Sequence, residues 1–137
     1  MDRITIGKCT YNEDVLALYA SVGWTVYVSD PDKLRRAFEN SCYVLGARDG
    51  DRLVGILRAV GDGETIMFLQ DILVHPDYQR QGIGRNLIAK FFRDYGHVRH
   101  VQLLTDDIPA TVGFYRAVGM VPAEELHFKC FVKLRWK

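Results

Sequence analysis

No run of apolar residues in this chain approaches the ~20 that a membrane-spanning helix needs. Met1-Asp2-Arg3 leads directly into a short alternating segment, without the apolar core of a signal peptide. An excess of charge of one sign is missing too. Eighteen Lys and Arg stand against seventeen Asp and Glu, a formal net charge of +1, so nothing favours the nucleic-acid backbone. There is no charge block, low-complexity tract or internal repeat. The three cysteines, Cys9, Cys42 and Cys130, are far apart and form no CxxC pair. The four histidines, His75, His97, His100 and His127, are scattered as well. Metal-ligand spacing is therefore absent. The expectations that follow are a reduced, cytoplasmic setting, no metal, no membrane and no nucleic-acid partner.

What the chain does have is an ordinary globular composition: 137 residues, 48% hydrophobic and 26% charged. That is enough for one domain, residues 1–137, with a core of its own. Ile4 and Ile6 alternate with polar neighbours and predict a first strand over residues 3–8. Asn12 reads as an N-cap with Glu13 and Asp14 in the first turn. Val15, Leu18, Tyr19 and Val22 then recur at helical spacing, and Gly23 ends the helix. Trp24 and Tyr27 lie in the connection that follows. They either pack that connection onto the sheet or cover a ligand. Asp30 before Pro31 starts a second helix, with Leu34, Ala37 and Phe38 on its buried side. Residues 42–48 and 53–60 read as a hairpin around Asp49-Gly50. A third strand covers residues 65–74, and a later one residues 98–105. A helix over residues 110–118 stops at Gly119. The branched and aromatic residues 128–136 predict a last strand.

The chain is organised around Leu69 to Asp94. An apolar strand leads into the polar turn 75–84. A helix follows with Ile83, Leu87, Ile88, Phe91, Phe92 and Tyr95 on one side. Strand, glycine-bearing loop and helix bring free backbone N–H groups and the positive end of a helix dipole to one point, a ready site for phosphate. In Gln79-Arg80-Gln81-Gly82-Ile83-Gly84, the glycines let backbone approach a ligand closely. Arg80 and Arg85 add charge-assisted contacts. The motif lacks the G-K-S/T ending of a P-loop, and a meander precedes it, which argues against a nucleotide-binding protein.

Gln79-Arg80-Gln81-Gly82-Ile83-Gly84 resembles the acyl-coenzyme A loop, Q/R-x-x-G-x-G/A, of the GCN5-related N-acetyltransferases (GNAT). Leu73-Val74-His75-Pro76-Asp77-Tyr78 is similar to that family's lead-in. Phe114-Tyr115-Arg116-Ala117-Val118-Gly119-Met120 is similar to its F-Y-x-x-x-G-F signature. The resemblance implies an α/β fold, a mixed, mainly antiparallel, twisted sheet of six to seven strands with helices on both faces. It implies acetyl-coenzyme A as acyl donor and a primary amine as acceptor, a small amine or a protein lysine, by direct attack in a ternary complex. Residues 55–62 and 70–74 also look like a branch that includes plant plastid acetyltransferases of protein lysines and arylalkylamines.

The resemblance distributes the work. Ile72, Leu73 and Val74 pair with the pantetheine arm, and an N–H near Leu73 or Val74 polarises the acetyl carbonyl. Gln79, Arg80, Gln81, Gly82, Ile83, Gly84 and Arg85 hold the pyrophosphate, and Trp24 and Tyr27 border the acceptor. Tyr115 is the candidate general acid, since a phenol can protonate a departing thiolate. Asp71, a carboxylate among Met67, Leu69 and Leu73, is either the base or a structural carboxylate bonded to backbone or to an arginine such as Arg58. Glu64 is a second candidate base. A third possibility is that no side chain acts. One departure is Ile108, where many relatives carry an asparagine seven residues before the tyrosine. Thr111 also replaces the usual alanine. A noncatalytic acyl-coenzyme A binder or sensor is the alternative reading. The apolar final segment suggests a homodimer.

Overall fold

The computed structural model describes residues 3–135. Two compact units are present, one running to Leu104 and one from Thr105.

In the first unit, β1 (Ile4–Lys8), β2 (Tyr43–Asp49), β3 (Arg52–Gly61), β4 (Ile66–Val74) and β5 (His100–Leu103) form one sheet in chain order. Neighbours are antiparallel except β4 and β5, which are parallel. The sheet is mixed and mainly antiparallel, as expected, but among the described residues it has five strands, not six to seven. The last predicted strand does not form over residues 128–135, and Trp136 lies outside the described residues. Its branched and aromatic residues meet the propensity requirement, but a strand exists only where a ladder partner takes its backbone groups. Phe128 and Phe131 are instead 58% and 90% exposed.

Local capping places the helices of the first face. The Asn12 side chain accepts from the N–H groups of Asp14 and Val15 at 2.9 and 3.2 Å, opening α1 (Glu13–Ser21). The connection after Gly23 winds into a short helix, α2 (Thr25–Val28). Asp30 accepts from Lys33 N–H at 3.2 Å and Pro31 starts α3 (Pro31–Glu39). Val15, Leu18 and Tyr19 of α1, and Leu34 and Phe38 of α3, pack on Leu53, Ile56 and Leu73. Full burial of such a side chain is worth about 1.5–3 kcal/mol, and this packing sets the layer.

The opposite face is covered by α4 (Ile83–Asp94), with Ile83, Leu87, Ile88 and Phe91 buried. The helix sits close because Gly55 has no side chain. A Cβ there would lie 3.2 Å from Ile83 Cγ2 and 3.4 Å from Leu87 Cδ1.

One irregularity matters for function. Arg58 pairs with Asp71 but Ala59 pairs with Leu69, so Gln70 is an extra residue on β4. This bulge changes which face its neighbours occupy. Strict alternation predicts Met67, Leu69, Asp71 and Leu73 on one side, and a bulge is the departure that would shift them. Instead, Leu73 joins Ile56 in the α1/α3 core. Leu69 pairs with Ala59, which shares the α4 side with Gly55.

The second unit contains α5 (Pro109–Ala117) and a 3-10 turn (Ala123–Leu126). Gly119, at φ 98°, follows the helix end. Arg116 forms an ion pair with Glu125.

Candidate active site

The loop between β4 and α4 is held from below. His75 N–H donates to the Val54 carbonyl at 2.8 Å as β4 ends. In the 3-10 turn Pro76–Tyr78, the Asp77 N–H donates to His75 Nδ1 at 3.1 Å. The Tyr78 hydroxyl donates to Asp49 Oδ2 at 2.6 Å, and the Arg52 guanidinium lies 5.3 Å from the Tyr78 ring centroid. Gln79 Nε2 donates to the Val74 carbonyl at 3.0 Å. The chain then takes left-handed backbone at Arg80 (φ 64°) and Gly82 (φ 83°).

Gly82 caps α4 without a side-chain bond, and the first turn holds no acidic residue. The first helical bond runs from Asn86 N–H to Gly82 O at 3.0 Å, so the N–H groups of Ile83, Gly84 and Arg85 have no helical acceptor. Unpaired donors, the positive end of the helix dipole and the exposed Arg80 and Arg85 lie together there, an arrangement that favours negative charge. A Cβ at Gly82 would meet nothing within 4 Å. That glycine is needed for its dihedral, not for space inside the fold.

The loop adjoins an open strand edge. The β4–β5 ladder ends at Leu69 opposite Leu103. Beyond the bulge, the side of Ile72, Leu73 and Val74 that would face β5 carries backbone groups with no β5 partner. Gly55 pairs with Val74, and a Cβ on it would lie 3.2 Å from Ile83 Cγ2. The open edge therefore ends beneath the N-terminus of α4.

At the head of that edge lies a buried polar cluster. Asp71 is 3% exposed and Arg58 5%. Arg58 Nε and Nη2 each lie 2.8 Å from Asp71 Oδ2. The Tyr19 hydroxyl donates to the same oxygen at 2.9 Å, and the Tyr27 hydroxyl to Oδ1 at 3.0 Å. Arg58 Nη1 also donates to Ser41 Oγ at 3.2 Å. Among the described residues no buried side-chain nitrogen or oxygen lacks a partner. Burial, then the Asp71 charge, push the Tyr19 phenol well above its ordinary range, and the same two causes raise Tyr27. Burial by itself would lower the Arg58 guanidinium, but the Asp71 carboxylate and the Tyr19 phenol together outweigh it and the net direction is up. The Asp71 geometry is that of the carboxylate paired with Arg58.

Trp24 and Tyr27 are half-buried, with ring centroids 5.9 Å apart, and both pack against the core that holds Tyr19. In the second unit, burial raises the Tyr115 phenol, and its ring meets Phe114 edge-on at 5.1 Å. Glu64 is exposed, and its N–H donates to Asp62 Oδ1 at 2.9 Å. The described residues contain no group of three His, Cys, Asp or Glu able to hold a metal ion.

Comparison with known proteins addresses the loop, the strand and the Phe114-Tyr115 segment together. The sequence model of the acetyltransferase (GNAT) family matches residues 8–120, across both units. The chain belongs to this family. A solved GNAT family acetyltransferase from Streptococcus pneumoniae TIGR4 is 38% identical, with a TM-score of 0.86 over 98% of this chain and 99% of that one. A histone acetyltransferase of Glycine max is 32% identical over 119 residues, 77% of this chain and 50% of that protein. Serotonin N-acetyltransferase 2 of Oryza sativa subsp. japonica is 33% identical over 94 residues, 64% and 46% of the two. The chain thus spans about half the length of these two curated relatives.

Within the first unit the structure joins the loop 79–85, the strand 72–74, Asp71 and Tyr27. Sequence reasoning missed two members of the buried cluster, Tyr19 and Ser41. Tyr19 looks like one more apolar residue of a helical stripe, and its signal is that a buried phenol needs an acceptor. The Gln70 bulge has no local signature.

Proposed function

We propose that this GNAT protein transfers the acetyl group of acetyl-coenzyme A to a primary amine, a small amine or a lysine side chain, in a ternary complex. One observation carries the reading: the open edge of β4 ends at Val74 beneath the uncapped N-terminus of α4, flanked by Arg80 and Arg85. An elongated ligand with a pyrophosphate at one end and amide groups along its arm suits such a receptor. Gln79, Arg80, Gln81, Gly82, Ile83, Gly84 and Arg85 hold the pyrophosphate, and Ile72, Leu73 and Val74 take the pantetheine arm as a strand takes a neighbour. An N–H at Leu73 or Val74 donates to the acetyl oxygen, and one such donor is worth about 3 kcal/mol.

When bound, acetyl-coenzyme A supplies the thioester, whose carbonyl carbon gains the bond to the amine nitrogen as its C–S bond breaks. Tyr115 gives its phenol proton to the departing sulfur, and the amine's surplus proton is lost to water, so the chain ends each cycle unchanged after Tyr115 regains a proton. Both Asp71 oxygens already receive donors, so Asp71 is assigned to support, not to proton abstraction. The names of the Glycine max and Oryza sativa relatives favour amine acceptors. A second copy is proposed to cover the apolar residues Phe128, Phe131, Val132 and Leu134, each more than half exposed. Light scattering that finds only monomer at working concentration removes that part.

Thiol release from acetyl-coenzyme A, measured against a panel of amines and lysine peptides beside a calorimetric titration of the donor, tests the reading. Release with one acceptor class is the expected result. Binding without release from any acceptor favours the noncatalytic binder, and no binding overturns the assignment of the loop.

A further inference from the structure

The first unit contains a cavity of about 650 Å³ that the acetyltransferase reading leaves unused. Its walls come from the end of β1, the end of α3, the start of β2 and the C-terminal end of α4. The loop 79–85 lies at the other end of α4. Twelve helical residues separate the two ends by about 18 Å. The volume falls within the range of small-molecule sites, about 300–1,000 Å³.

The lining contains two aromatic pairs. Tyr11 meets Phe38 edge-on with ring centroids 5.8 Å apart, and Tyr43 meets Tyr95 edge-on at 4.9 Å. Phe38 and Tyr43 are buried and hold the half-buried Tyr11 and Tyr95 in place. Rings fixed in this way suit a further ring, which packs on their faces or edges without ordering flexible side chains.

Three charged groups line the same cavity, Lys8, Glu39 and Asp94. The two carboxylates are already served. Arg35 Nη1 donates to both Glu39 oxygens, at 3.2 and 3.1 Å. Asp94 Oδ2 receives Lys90 Nζ at 3.1 Å and the Tyr43 hydroxyl. Among the described residues, Lys8 alone of the three has no counter-ion. The Tyr95 hydroxyl meets Cys42 Sγ at 3.7 Å, a weak partner for a phenol. Burial, then that contact, push this phenol up to about 12, so it keeps its proton at neutral pH. The uncompensated charge of the cavity is therefore positive, and its spare polar group is a donor. Both favour an anion with a flat apolar body.

We propose that this cavity is a binding site for a small aromatic monocarboxylate, its ring packed among Tyr11, Phe38, Tyr43 and Tyr95 and its carboxylate held by Lys8. The proposal uses no residue of the loop or of the open β4 edge, so it stands or falls apart from the acetyltransferase reading. A neutral amide of the same shape keeps the ring contacts and loses the ion pair. An amine of similar shape meets Lys8 with like charge.

The test uses the full chain, with phenylacetate, phenylacetamide and phenethylamine as probes. Calorimetry gives the affinity of each for the parent and for Lys8→Gln, a change at an exposed position. Location is read from alkylation of Cys42 and Cys130 by iodoacetamide, followed by mass spectrometry. Both cysteines are exposed, but Cys42 lines the cavity and Cys130 belongs to the second unit. Phenylacetate is expected to bind about three- to fivefold more tightly than phenylacetamide, the difference an exposed ion pair supplies. Phenethylamine binds more weakly still. Phenylacetate slows alkylation of Cys42 and leaves that of Cys130 unchanged. In Lys8→Gln the melting temperature holds, and acid and amide bind alike. The proposal is overturned by no binding of phenylacetate, by equal affinity of acid and amide for the parent, or by an acid preference that survives in Lys8→Gln. Alkylation of Cys42 at the same rate with and without phenylacetate overturns it as well.

Discussion

Arg58 and Asp71 face each other across the β3–β4 ladder, their charged atoms 2.8 Å apart and their side chains 6% and 2% exposed. Burying two charges carries a large desolvation cost, which a close pair with further hydrogen bonds offsets. Asp71 has those bonds from Tyr19 and Tyr27, and Arg58 has one to Ser41. Breaking such a pair from one side leaves a buried charge alone. Asp71→Ala is expected to lower stability by about 3–5 kcal/mol, read from urea unfolding. Asp71→Asn, which keeps the shape and one acceptor oxygen, loses less.

The same cluster sets an alkaline limit. The Tyr19 phenol is raised in the fold by burial and then by the Asp71 charge. A raised folded value means the contribution is fully present below the unfolded tyrosine pKa of about 10 and is lost as pH climbs above it. Stability followed by chemical unfolding should fall above about pH 10. The fall should be shallower in Tyr19→Phe, and equal slopes in the two proteins would remove Tyr19 as its source.

Arg80 serves two purposes that pull in opposite directions. Its φ of 64° is a conformation that costs a side-chain-bearing residue roughly 1–2 kcal/mol. Its exposed guanidinium flanks the anion receptor. Arg80→Gly is expected to raise the melting temperature slightly while weakening acetyl-coenzyme A binding, and the weakening should be smaller at high salt. Differential scanning calorimetry and a titration at two ionic strengths read both effects.

Gly55 links packing to the loop. An added methyl would press on Ile83 Cγ2 at 3.2 Å, Ala47 Cβ at 3.3 Å and Leu87 Cδ1 at 3.4 Å. Gly55→Ala should cost about 1–3 kcal/mol by overpacking. Because Ile83 begins α4, it should also weaken donor binding without touching the ligand. Titration calorimetry beside thermal melting checks both halves.

Tyr115 is assigned to the thiol side of the reaction. Removing a general acid costs roughly 10²–10⁴ in rate. Tyr115→Phe should lower kcat by that order with little change in acetyl-coenzyme A affinity. A kcat equal to that of the parent would take Tyr115 out of the mechanism.

Much of this was legible from the residues. Asn12 and Asp30 announce helix starts because a short polar side chain there can only serve the backbone beside it, and both do so. The entry to α4 is legible for the same reason, since Gly82 takes left-handed backbone within its own stretch of chain. The errors lie where distant residues decide. Residues 128–135 have strand composition but form no strand, because pairing is a property of two segments. The faces of β4 change at Gln70 because the partner strand advances one residue while β4 advances two. Asp71 could be weighed against Arg58 from sequence alone, but its bonds to Tyr19 and Tyr27 could not be seen there. Those partners lie 52 and 44 residues away.

The bulge at Gln70 also makes the site sensitive to length as well as to chemistry. Delete that one residue, and parity along β4 is restored. The zipper between β4 and β5 could then run on, and the gap that receives the acyl arm would close. Asp71 would stay opposite Arg58, because the pairs Ala59–Leu69 and Arg58–Asp71 would then follow one another without a step. No substitution at position 70 does this, because every amino acid occupies one step of chain. An insertion-and-deletion scan across residues 68–72 should therefore find one intolerant step among tolerant side chains, a constraint on counting that a substitution scan would miss.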